Sequence, residues 1–299
     1  MLKPLDILWV VAGVRARSVD PELLKRMHDA GCSGLYYGFE TGSAEMLKVM
    51  EKNLELHHNL DAARWTHDAG IYTCYQLIMA MPGETSHSVG ETIEMLKKIT
   101  EFLPRPAYNY LSVNYIQALP GTPVYEYARA TGLIGPRLED EAEYLELISD
   151  IDAADDTKFL NFTSYPYLIV RSWRIRLLYE ITVHWYRRRG TAKADNGSIT
   201  RQYNKGGYFN LNELRVNPVV LKLLYPIRWL PITLQTLVSE FHSSSTRVFC
   251  ARVLEVAVWM IRRPKGHTDY RSLRQVMKDI APKPNRPSEE NMIPLRLGR

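Results

Sequence analysis

The chain has 299 residues, 45% hydrophobic and 24% charged, which fits a protein that buries a sizeable core and excludes a disordered chain. Three scattered cysteines, Cys32, Cys74 and Cys250, suit a reducing cytosol and supply neither a disulfide framework nor a metal knuckle. The net charge of +5 conceals a division: through Tyr165 there are 14 Lys and Arg against 24 Asp and Glu, and from Pro166 onward 24 against 9. Halves of opposite sign point to different partners. The basic half invites an anionic membrane surface or nucleic acid, and a solvated basic face is favoured over nucleic acid.

Met1 to Leu8 contains Pro4 and Asp6 and no signal-peptide cleavage pattern. Leu5 to Val11 is apolar and β-branched apart from Asp6, which predicts a buried strand. A helix follows, with Asp20 as N-cap, Pro21 at its first position and Gly31 as its stop. Gly34 to Phe39 reads as a second strand, and Ser43 is placed to cap a short helix through Met50. A helix over Leu56 to Ala69 leads to a third strand, Ile71 to Met81. Thr85 or Ser86 starts a helix that ends near Phe102, and Tyr110 to Ile116 is the fourth strand. Thr122 and Pro123 open a further helix that stops at Gly132. Strand and helix in alternation predict a parallel sheet.

Beyond it, Glu139 to Asp156 is an acidic surface helix and loop, and Leu168 to Arg189 is an amphipathic helix with Arg171 and Arg174 on its basic side. Thr191 to Gly207 reads as a loop, and Pro226 and Pro231 interrupt the apolar run from Pro218 to Val238. Val248 to Ile261 is apolar but too short to cross a bilayer, and it holds Arg252 and Glu255. Trp185 and Tyr186 beside Arg187 to Arg189 either sit at a membrane interface or snorkel over a core.

Two strand ends carry the candidate chemistry. Glu40 stands between Gly38-Phe39 and Gly42-Ser43, where a carboxylate accepts hydrogen bonds from a bound ammonium or hydroxyl and glycines permit close approach. The same residue is also placed to cap the Ser43 helix or to pair with a lysine. Pro82-Gly83-Glu84-Thr85 joins a strand to a helix and reads mostly as structure: a turn, a cap and an acid for the first helical turn. Gln76, polar inside an apolar strand, either faces a polar cavity or pairs locally. His57, His58 and His67 lack metal-ligand spacing and read as solvated or core residues.

In this order and spacing, Ala30-Gly31-Cys32, Gly38-Phe39-Glu40-Thr41-Gly42-Ser43, Leu47 to Lys52, Ala69-Gly70-Ile71, Pro82-Gly83-Glu84-Thr85 and Leu119 to Tyr125 resemble the radical S-adenosylmethionine (SAM) superfamily. The closest group is the cobalamin-binding-domain type, which includes anaerobic Mg-protoporphyrin monomethyl ester cyclases. The resemblance implies an α/β fold: a partial radical-SAM-type (β/α) barrel lacking its first units, followed by a mostly α-helical C-terminal region. Residues 1–135 would be that barrel part, 136–165 an acidic connector, 166–280 a basic, aromatic-rich helical region and 281–299 a flexible tail.

The implied cofactors are SAM, a 4Fe-4S cluster and, in a longer parent, cobalamin. Glu40 and Ser43 would hold SAM, with Gln76 near its ribose, and no residue is assigned to a metal. Ala80 stands where the family usually has Gly. The CxxxCxxC triplet that binds the cluster is absent from the sequence, so the expectation is a truncated or split form of an enzyme acting on a hydrophobic, lipid- or tetrapyrrole-like substrate. The alternatives are a subunit completing its barrel with a cluster-bearing partner chain and a cluster-less, membrane-associated binding protein.

Overall fold

The structure, a computed structural model, describes residues 5–105, 110–150, 153, 155–189, 223 and 225–262. Four strands, β1 (Trp9–Val14), β2 (Cys32–Glu40), β3 (Tyr72–Met79) and β4 (Leu111–Tyr115), form one parallel sheet in the order β1-β2-β3-β4. The connections are α1 (Pro21–Asp29), α2 (Ala44–Val49) with α3 (Leu56–Asp68), and α4 (Ser86–Thr100). Then come α5 (Pro123–Ala130), α6 (Leu138–Asp150), α7 (Tyr167–Arg189), α8 (Trp229–Ser243) and α9 (Thr246–Arg262).

Three of the caps form where the sequence places them. Asp20 accepts from the Leu23 N–H at 2.8 Å, and Thr85 accepts from Ser88 at 3.2 Å in a capping box. Thr122 accepts from Tyr125 at 3.3 Å, with Pro123 at the first helical position. Strand β3 alternates in burial along its length, as a sheet packed more closely on one face requires. Thr73, Tyr75, Leu77 and Met79 of β3 are buried, whereas Tyr72, Cys74, Gln76 and Ile78 are half-buried on the other face.

The buried face packs Leu35, Tyr37 and Phe39 of β2 with Tyr75 and Leu77 and with Ile93 and Leu96 of α4. Phe39 stacks on Tyr75 with centroids 4.7 Å apart, and the Tyr37 hydroxyl meets Thr66 at 2.7 Å. Burying each large apolar side chain contributes about 1.5–3 kcal/mol.

Several expectations are revised. The first strand begins at Trp9 rather than Leu5, because pairing starts at Trp9 opposite Cys32, and Leu5, Ile7 and Leu8 are left exposed. Helix α7 is not amphipathic: it packs against α4, α8 and α9 and is buried nearly all round, Arg171 and Arg174 included. Arg171 is compensated by the Glu240 and Asp156 carboxylates and by Ser239 and Ser243 hydroxyls. Trp185 takes the core alternative, donating to the Leu103 carbonyl at 3.2 Å, while Arg188 pairs with Glu101. Pro231 falls within the first turn of α8, where its missing N–H costs nothing, and does not interrupt the helix. The expected loop at 191–207 and the tail at 281–299 lie outside the described residues.

Candidate functional site

The C-terminal ends of β2 and β3 lie side by side, the position at which parallel α/β sheets bind ligands. Glu40 is the last residue of β2. It is 8% exposed and adopts a φ of +61°, a left-handed conformation unusual for a glutamate. Strain of this kind collects at functional sites, held by the surrounding packing. The β2–β3 register slips between Gly38 and Glu40, so a bulge re-aims the strand end here.

The Glu40 carboxylate accepts from the Lys52 ammonium at 2.5 Å, so the lysine pairing anticipated from sequence is realised. A Cβ at Gly38 would lie 2.6 Å from Glu40 Oε1. Glycine at 38 therefore makes room for the carboxylate of the chain itself, which corrects the expectation of room for a ligand. Gly42 is likewise claimed from within: a Cβ there would lie 2.6 Å from the Thr92 Cα on α4.

The loop after Glu40 is clamped to α4. Thr92 Oγ1 accepts the Gly42 N–H at 2.9 Å and meets Thr41 Oγ1 at 3.0 Å. Asn59 of α3 donates to the Phe39 carbonyl at 3.3 Å. Ser43 occupies the N-cap position of α2 but makes no capping bond; its hydroxyl is buried without a partner among the described residues. Buried polar atoms in proteins are generally paired, so this hydroxyl has capacity for one further hydrogen bond. Gln76 stands opposite Gly38 in the register, half-buried on the sheet face away from the main core, with Ser112 of β4 on its other side. Glu40 and Gln76 are thus brought to adjacent strands, and Ser43 follows three residues beyond the first.

Glu84 is not the acid of the first helical turn that its place in the sequence suggests. It precedes the Thr85 cap and turns its carboxylate back onto the N–H groups of Ala80 (2.6 Å) and Met81 (3.3 Å). Burial pushes its pKa up to about 8 against the pull of those hydrogen bonds. The turn is a structural element.

The groups here that suit SAM are the open Ser43 hydroxyl and the Glu40 carboxylate, which Lys52 already holds on one oxygen. A 4Fe-4S cluster does not fit the residues present. Cys32 is buried at the start of β2, Cys74 lies within β3 with its thiol pushed up to about 12 by burial, and Cys250 is exposed on α9. No group of metal-ligating side chains gathers among the described residues. His57 and His58 stack on each other, and His67 packs on Phe102. Asn59 and Thr92 are the site residues that sequence reasoning missed, whereas a lysine partner for Glu40 was expected and Lys52, close after the strand end, is that lysine.

Parallel strands joined by helices form an α/β architecture consistent with a partial radical-SAM-type fold. Comparison with known proteins agrees: residues 4–96 match the Radical SAM superfamily. A protein of Pyrococcus horikoshii named "Uncharacterized methyltransferase" is 28% identical over 130 residues, 44% of this chain and 27% of the relative. A protein of Methanocaldococcus jannaschii named "Putative methylthiotransferase" is 35% identical over 75 residues, 25% of this chain and 17% of the relative. The chain thus spans about a quarter and a sixth of the lengths of these two relatives.

Proposed function

We propose that this chain is the SAM-holding part of a radical SAM enzyme of the methyl- or methylthio-transferring kind, acting on a hydrophobic substrate. The observation that carries the reading is Glu40, a buried carboxylate held in a strained conformation at a strand end beside an unpartnered Ser43 hydroxyl. Glu40 would accept from the α-ammonium of SAM in exchange for, or together with, Lys52. Ser43 would meet a second polar group, and Gln76 would reach the ribose hydroxyls. When bound, SAM supplies a sulfonium whose adjoining carbons are the reactive positions. The protein groups bind and orient it, and the Thr92 clamp keeps their loop in place.

No step is assigned to an iron–sulfur cluster, because none of the cysteines is placed to share one; its ligands would come from outside these 299 residues. The reading of a barrel completed by another cysteine-bearing chain or segment has its own support. Strand β1 is a sheet edge among the described residues, with Val10 44% exposed and Leu8 just before it 81% exposed, the kind of edge that natural folds cover. Cobalamin enters only through the resemblance in motifs and is assigned no residue here.

Calorimetric titration of the full chain with SAM tests the reading. Wild-type protein should bind, and Glu40→Ala should bind at least about tenfold more weakly, the effect of losing one charge-assisted hydrogen bond. Equal affinity of the two proteins would overturn the assignment.

A further inference from the structure

Helix α8 is built inside out. Toward α7 it turns Ile232, Thr236 and Glu240, all buried, the last a carboxylate with no exposure. Toward solvent it turns Leu230, Leu234, Val238 and Phe241, spaced i, i+4, i+8 and i+11 along one face; the last three are 53%, 56% and 57% exposed. A helix at a water-facing surface shows the reverse order. The polar side is locked inward, since Glu240 is bound by both Arg171 of α7 and Arg252 of α9. The apolar side therefore has no means of turning in. Helix α9 adds a second exposed stripe, Leu254, Val258 and Ile261, and buries none of its residues. Single exposed apolar side chains are ordinary on a protein surface; contiguous stripes on two successive helices mark a contact surface.

The charges identify the kind of surface. Arg228, before α8, is taken up by Glu180 at 3.6 Å, whereas Arg247 and Arg262 lie exposed in the first and last turns of α9. With Glu240 buried, Glu255 is the exposed carboxylate of the two helices. From Pro166 onward, cations outnumber acids 24 to 9. Trp229, 64% exposed, opens α8 where an amphipathic ring suits the boundary between headgroup and acyl chain. Among the described residues, no helix is long and apolar enough to cross a membrane. We propose that α8 and α9 form an interfacial element that lies on an anionic lipid bilayer. Leu234, Val238, Phe241 and Leu254 would enter the acyl boundary, and the terminal arginines would lie among the lipid phosphates.

Flotation of the full chain with vesicles of phosphatidylcholine, with and without phosphatidylglycerol, tests this. Wild-type protein should float with the anionic vesicles at low salt and be released as salt rises. L234E/V238E should lose flotation while its circular dichroism and melting temperature match wild type. Should that variant misfold, R247E/R262E, altered at exposed positions alone, should lose the preference for anionic vesicles. Wild type that stays with the soluble fraction in both lipids, or either folded variant floating as well as wild type, overturns the proposal. So does a wild-type dimer in size-exclusion chromatography that L234E/V238E dissolves while lipid binding is absent, which would make a second copy of the chain the occupant.

Discussion

The Glu84 carboxylate accepts the backbone N–H of Ala80 at 2.6 Å and so closes the chain between the end of β3 and the start of α4 on itself. Ala80 is fully buried at a φ of +67°, a left-handed conformation that costs an L-residue about 1–2 kcal/mol. Glycine returns part of that gain as unfolded-state entropy. Ala80→Gly should therefore raise the stability by up to about 1 kcal/mol, read as a shift of the urea midpoint. A loss of similar size would show that the buried methyl group outweighs the strain.

Glu84 also sets a pH dependence. Burial raises its pKa from 4.5 to about 8, so the folded protein keeps a proton that the unfolded chain releases. This contribution to stability is complete below pH 4.5 and is lost as pH rises toward about 8. Glu84→Gln keeps an acceptor for the Ala80 N–H and removes the titration. Its melting temperature should fall less than that of wild type between pH 5 and 8. Parallel curves would mean that Glu84 is ionised throughout.

Glu40 should show the opposite demands of stability and binding. Its left-handed φ costs about 1 kcal/mol, and its partner Lys52 is partly solvated, which limits what the ion pair returns. Glu40→Gly should unfold at the same denaturant concentration as wild type or a higher one while losing affinity for SAM. A marked destabilisation would make the residue structural.

The clamp on the site loop is tested at Gly42 and Thr92. A Cβ at Gly42 would press on the α4 backbone at Thr92 and on Met95, so Gly42→Ala should cost about 1–3 kcal/mol. Thr92→Val strands the buried Gly42 N–H at a cost of about 1–3 kcal/mol. Both should weaken SAM binding through the displaced loop, and thermal unfolding with parallel calorimetry separates the two effects. Full stability in either variant would show that the loop is held by other contacts.

Glu240 bridges Arg171 and Arg252, and removal of one partner from a buried ion pair leaves charge uncompensated. Glu240→Ala should cost about 3–5 kcal/mol and expose α8 and α9 to limited proteolysis before the sheet unfolds. Digestion at the wild-type rate would refute a locking role.

Local chemistry was legible in the residues themselves. Asp20, Thr85 and Thr122 cap helices through bonds that reach only three residues along the chain, and apolar runs mark β2, β3 and β4. Glu40 could be picked out by its place at a strand end between glycines. The start of β1 was not legible, because apolarity extends to Leu5 whereas a strand begins where a neighbour offers hydrogen bonds, here at Trp9.

The sequence by itself determined the order of strands and helices, the parallel sheet they imply, and a motif series whose part from Ala30 to Thr85 falls within the match to the Radical SAM superfamily at residues 4–96. Only the tertiary structure decided which groups meet. Thr92 reaches back 50 residues to Gly42, and Arg171 reaches forward 69 residues to Glu240. A basic side chain in a helix pattern reads as solvent-facing until a carboxylate from another helix neutralises it. That long-range pairing buries Arg171 and turns the polar side of α8 inward, and Leu230 and Leu234 of α8 are left facing out.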